Sequence, residues 1–134
     1  MSSPDLAVPD LDAAASAIDL ARDVVHQGVA HVAATGSVEA DQVVAYDLAH
    51  AAAAVETART LLDYGAKGGE EAGITVAFAA EAVADVAAKL YGREAAWGVE
   101  PAALDGARAF VAAYRDPAFV DYTWLTIRAV GYRR

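Results

Sequence analysis

The chain contains no cysteine, which excludes disulfides and thiolate metal sites and makes a reducing, cytoplasmic setting the expectation. It also lacks a long apolar run. The longest uncharged span, Val24 to Val38, is interrupted by His, Gln, Thr and Gly, so no transmembrane helix is expected. The opening MSSPDLAVPD has neither a basic nor an apolar region of the kind a secretory leader needs. Serine is scarce as well. Ser2 and Ser3 fall in the polar opening, Ser16 stands alone, and Ser37 is best placed as a helix cap, so no nucleophilic triad can be assembled.

What remains is alanine, valine and acid. Hydrophobic residues make up 57% of the 134, one domain's worth of chain. The net charge of −9 is unevenly spread: residues 1–117 hold 18 acids against seven bases, whereas residues 118–134 hold Arg128, Arg133 and Arg134 against Asp121. An acidic body repels phosphate backbones, so nucleic-acid binding is not expected.

Residues 1–10, with Pro4 and Pro9, read as a flexible arm. A first helix should begin near Leu11 with Asp10 as its cap, carry a buried stripe at 11, 14, 18, 21, 25, 29 and 32, and stop at Gly36. Gly28 inside it suits close approach by a neighbour. Ser37 should cap a second helix with Glu39 and Asp41 in its first turn. Its stripe is Val44, Leu48, Ala51, Val55, Ala58 and Leu62, and it ends at Tyr64-Gly65. The four successive alanines 51–54 make this the expected central helix, contacted on more than one face through small side chains. A third helix is predicted from Glu70 with Val76, Ala79, Val83, Val86 and Leu90 inward, ending at Gly92 or running on to Gly98. Pro101 should open a fourth that reaches Arg115 and is closed by Asp116-Pro117. Residues 118–134 form an aromatic, basic tail that favours a short helix, because nothing else offers a strand partner. The expected architecture is an all-α, up-down bundle of four to five antiparallel Ala-rich helices over residues 11–117.

Two Asp-x-x-His pairs, Asp23/His26 and Asp47/His50, could each share a metal on one helix face, with Glu81 and Asp105 completing a four-helix carboxylate site. The opposing reading outweighs it. Asp is short of the bundle axis by a methylene, Asp23 points away from the Val25 face, and Asp47 and His50 only flank their stripe, so two solvated pairs and no metal are expected. His31 reads as a surface or interface residue. Gly65-Ala66-Lys67-Gly68-Gly69 lacks P-loop spacing and reads as a connection between helices. Tyr46, Tyr64, Tyr91 and Trp97 could stack on a flat cofactor but more naturally close the ends of the core. The tail's Tyr122, Trp124, Leu125 and Ile127 form the one dense aromatic-aliphatic cluster, and an interface is the natural use for it.

The stretches DQVVAYDLAHAAAAVETARTLLDYGAKG and FAAEAVADVAAKLYGREAAWG resemble the paired helices of the acyl-CoA dehydrogenase α-domain, and in particular the helical N-terminal segment of long actinobacterial members. The likeness spans about residues 37–117. It implies a helical segment beside an FAD-binding flavoprotein body. The family's β-domain, flavin surface and catalytic glutamate have no counterpart here, so no catalytic position is carried over. Past Pro117 the likeness ends, as it would in an excised fragment. The expected function is therefore a non-catalytic scaffold or oligomerisation domain, associated with another copy of itself or with a flavoprotein body. The alternatives are a stand-alone bundle holding a cofactor or metal inside, and a dimeric regulatory module.

Overall fold

The computed structural model describes residues 6–36, 39 and 41–131. The chain is all-α: among the described residues there are six α-helices, one 3-10 turn and no strand. Three long helices, α1 (Leu11–Thr35), α2 (Gln42–Gly65) and α3 (Gly69–Leu90), pack on one another. They are followed by α4 (Glu94–Trp97), the 3-10 turn Asp105–Ala107, α5 (Arg108–Tyr114) and α6 (Pro117–Gly131).

Asp10 caps α1, its carboxylate accepting from the Ala13 amide at 3.0 Å. The helix stops at Gly36 as expected, but through extended backbone (φ −144°) and not a left-handed turn. The stripe departs from expectation at one place: Val29 is exposed, and Gly28 turns inward in its stead. A β-carbon at Gly28 would lie 2.7 Å from Leu48 Cδ2 and 3.2 Å from the Trp97 ring, so the missing side chain is what lets α2 and α4 close on α1.

Ser37 lies outside the described residues. The second helix starts later than its predicted cap, at Gln42, with Asp41 flanking it and making no side-chain capping bond; Glu39 precedes the helix instead of joining its first turn. Leu48, Ala51, Val55 and Ala58 are buried, with Val44 and Leu62 packed partly against them. The α2 helix is nevertheless not the central one. It packs on α1 and α3, and its far side carries exposed Ala53, Thr57 and Thr60. Alongside α1, which touches α2, α3, α4, the 3-10 turn and α5, the most enclosed helix is α3, which touches α1, α2, α5 and α6. The reason is legible in its burial: Thr75, Val76, Ala79, Ala80, Ala82 and Val83 are all buried, more of the circumference than one stripe covers. The Thr75 hydroxyl donates within its own helix to the Glu71 carbonyl at 2.8 Å and across to the Leu61 carbonyl of α2 at 3.2 Å. Each buried valine contributes about 1.5–3 kcal/mol and each buried alanine methyl roughly 0.8 kcal/mol, so the core is built from many modest increments.

The predicted fourth helix is broken into pieces. Gly92 (φ +80°) ends α3, and Gly98 (φ +66°) ends the single turn of α4. Pro101 lies in a turn, not at the start of a helix. The chain from Glu100 onward is held by three-residue-spaced bonds, such as Asp105 N–H to Ala102 O at 3.0 Å, until α5 begins. This irregular run buries Trp97, Val99 and Ala107 against α1. The arm is fastened by the buried Tyr114 hydroxyl, which donates to the Val8 carbonyl, and Leu6, Ala7 and Pro9 line a groove with α6. The tail is helical as far as Gly131, as expected, with Pro117 in the first turn and the Asp116 carboxylate accepting from the Phe119 amide at 3.3 Å. Among the described residues no helix is long and apolar enough to cross a membrane.

Candidate functional site

The candidate metal ligands do not converge. Asp23 and His26 are exposed on α1. Asp47 pairs with Arg93, tying α2 to the loop before α4, and the His50 ring lies tilted by 50° against Tyr46 with centroids 4.3 Å apart. Glu81 meets Arg115 at 3.3 Å on the surface, and Asp105 is exposed on the 3-10 turn. Among the described residues no group of three such side chains is close enough to share an ion. The small residues of the stripes bring the helix axes together, and Asp23, His26, His50, Glu81 and Asp105 are left exposed outside the pairings.

His31 is half-buried, its ring laid against Gly98 so closely that a β-carbon there would stand 2.4 Å from Nδ1. The loop 65–69 joins α2 to α3, with Lys67 Nζ 5.9 Å from the centre of the Tyr64 ring. The four aromatics that might have formed a stacking row are separated by environment. Tyr46, Tyr64 and Tyr91 are exposed, whereas Trp97 is the largest fully buried side chain. The Trp97 indole N–H has no hydrogen-bond partner among the described residues, a cost of about 1–3 kcal/mol carried by its packing.

Two ionisable groups are displaced from their ordinary behaviour. The Arg22 guanidinium, donating to Glu56 at 2.7 Å, holds that carboxyl below its usual value. Burial pushes the Tyr114 phenol up, with the charge of Asp10 adding to the effect. Neither group lines a cleft with a second reactive group, and both are explained by the contacts that join elements.

A cleft of about 390 Å³ lies between α3 and the segment leading into α5, floored by Val83, Ala87, Leu90, Leu104 and Val111 and rimmed by Glu94, Asp105 and Arg108. A second apolar groove, about 430 Å³, runs between α1 and α2 along Val29, Val32, Ala33, Leu48 and Ala52.

No protein-family model, curated protein or solved structure matches the chain. Function must be read from its surfaces.

The most pronounced of these is on α6. The inward side of that helix seats Phe119, 3% exposed, against the Tyr114 ring, with centroids 5.1 Å apart and the rings nearly perpendicular. Gly73 of α3 admits Thr123 to ordinary contact distance. The opposite side carries Trp124 and Leu125, exposed to 61% and 64%, and Tyr122, 59% exposed, sits at the edge of the inward side. The expected interface cluster is thus divided. Trp124 and Leu125 face outward, while half-buried Ile127 and exposed Tyr122 line the groove that α6 makes with Gly69, Gly73 and the arm. Phe119, the residue that fixes which side of α6 faces out, was not singled out by the sequence beyond its place among the tail aromatics.

Proposed function

We propose that this chain is a non-catalytic helical scaffold that works by docking, with the outward face of α6 seated on another protein surface. The observation that carries the reading is the pair of apolar sides on one helix. One side is already used by Phe119, Thr123 and Ile127. The other leaves Trp124 and Leu125 in water side by side, with Tyr122 exposed at its edge. Trp and Tyr are the side chains that most often anchor interfaces, and large contiguous apolar patches on soluble domains mark such sites. Oligomerisation is the simplest use of this face. The likeness of residues 37–117 to the acyl-CoA dehydrogenase α-domain makes a flavoprotein body the other surface such a scaffold would meet, and any FAD would belong to that body.

A second reading attaches to the cleft between α3 and α5, whose apolar floor and charged rim have the size and character of a small-ligand pocket.

Size-exclusion chromatography with light scattering and an absorption spectrum on the same sample tests both. The docking reading expects a mass above the monomer's 13.8 kDa, a monomer with unchanged helicity for Trp124→Asp, and no bound chromophore. A wild-type monomer carrying a flavin or other ligand would favour the cleft and overturn docking.

A further inference from the structure

We infer that the occupant of the α6 face is α6 of a second copy of this chain, packed antiparallel about a two-fold axis that passes between Trp124 and Leu125. This rests on the docking reading above and specifies its partner and register.

At about 100° per residue, Asp121, Leu125 and Arg128 fall within roughly 60° of one another on the helix, flanked by Trp124 on one side and Tyr122 on the other. All five are exposed. Phe119, Thr123 and Ile127 lie on the opposite side, where the helix meets the body. The outward face therefore carries Leu125, one acid and one base along its midline and an aromatic on each flank.

Asp121 and Arg128 are two turns apart, about 10.5 Å along the axis, too far to pair within their own helix. They are equally distant from the midpoint between positions 124 and 125. A two-fold axis at that midpoint, with the helices antiparallel, sets Asp121 of each copy against Arg128 of the other and brings Trp124 against its mate on one flank and Leu125 against its mate on the other. One operation thus satisfies four charges and buries four large apolar side chains, as a self-complementary isologous contact requires. Parallel in-register pairing would set Asp121 against Asp121 and Arg128 against Arg128. Docking of α6 on the acidic body would bring Asp121 against a surface of its own sign. The groove between α1 and α2 is also apolar, but its lining carries no charge to fix a partner.

The test measures dimer dissociation constants by sedimentation for the wild type, Asp121→Arg, Arg128→Asp and the double reversal, with circular dichroism as the folding control. Either single reversal creates two like-charge contacts per dimer and should weaken association about tenfold or more, and the double reversal should return it to within about threefold of wild type. If Trp124→Asp abolishes association but the charge reversals have no effect, or the double variant is not rescued, the antiparallel register is wrong while docking through α6 stands. A wild type that stays monomeric at every concentration overturns this inference together with self-association through α6.

Discussion

At the residue scale, two glycines separate conformational strain from steric crowding. Gly92 and Gly98 both have positive φ, +80° and +66°, but a β-carbon at Gly92 would meet nothing within 4 Å, whereas at Gly98 it would collide with His31. Gly92→Ala should cost only the left-handed backbone term, about 1–2 kcal/mol. Gly98→Ala should cost more, and adding His31→Ala should bring it back toward the Gly92→Ala value; urea midpoints measure all three. Equal costs for the two single variants would mean that the His31 ring gives way freely. Glu56 offers a second test. Its carboxyl is held low by Arg22, so the pair's contribution to stability is present above the ordinary carboxylate range and is lost as pH falls through the folded-state value. Because Glu56 is exposed, the effect belongs in a side-chain NMR titration and not in a melting curve. In Arg22→Ala the Glu56 titration should move up toward the ordinary value, and a titration that stays put would show that another group holds it.

At the element scale, α6 is attached to the body through few contacts, with α3 and α5. Phe119 is its main anchor. Truncating a buried phenylalanine costs about 3–5 kcal/mol, and an isolated helix of this length is marginal in water. Phe119→Ala should therefore free α6 from its seat while α1, α2 and α3 hold. Amide exchange should rise across residues 117–131 and stay slow in the valine-lined core, and any dimer should be lost with the helix. Uniform loss of protection would make α6 part of the cooperative core instead. The ease of reading these elements from sequence varied for physical reasons. The stripes of α2 and α3 were legible because valine and leucine recur at three and four residues, and Asp10 marks the start of α1 by local chemistry, whereas Asp116-Pro117, read as a helix stop, also opens α6. The split of the predicted fourth helix was not legible. Pro101 suits a helix start wherever it stands, and only the demand to bury Trp97 against Gly28, a contact nearly seventy residues apart, turns that run into a loop. The same contact explains why Gly28 and not Val29 faces inward. The central place of α3 was hidden because alanine is equally at home on a buried or an open face, so the Ala-rich α2 looked more enclosed than it is. For α6 the tail cluster was visible in composition, but which aromatics face out depends on where Phe119 docks.

At the scale of the whole molecule, symmetry and charge make opposed demands that one experiment can separate. An isologous contact through α6 uses the same patch on both copies and closes at two, whereas a basic tail laid on an acidic body would be head-to-tail and would keep growing. Light scattering over increasing concentration should therefore plateau at twice 13.8 kDa. Salt gives the sign of the force. Two chains of net charge −9 repel each other, and that repulsion is screened over about 10 Å at 0.1 M. The apolar strip around Trp124 and Leu125 is insensitive to screening, and the exposed Asp121–Arg128 pairs lose little by it. Dimerisation should consequently tighten as salt is raised from about 0.05 to 0.5 M. A tail-on-body contact, driven by Arg128 and its neighbours against the acidic surface, would weaken over the same range. Weakening with salt together with a mass that climbs past the dimer would show that charge, and not the apolar face of α6, brings the chains together.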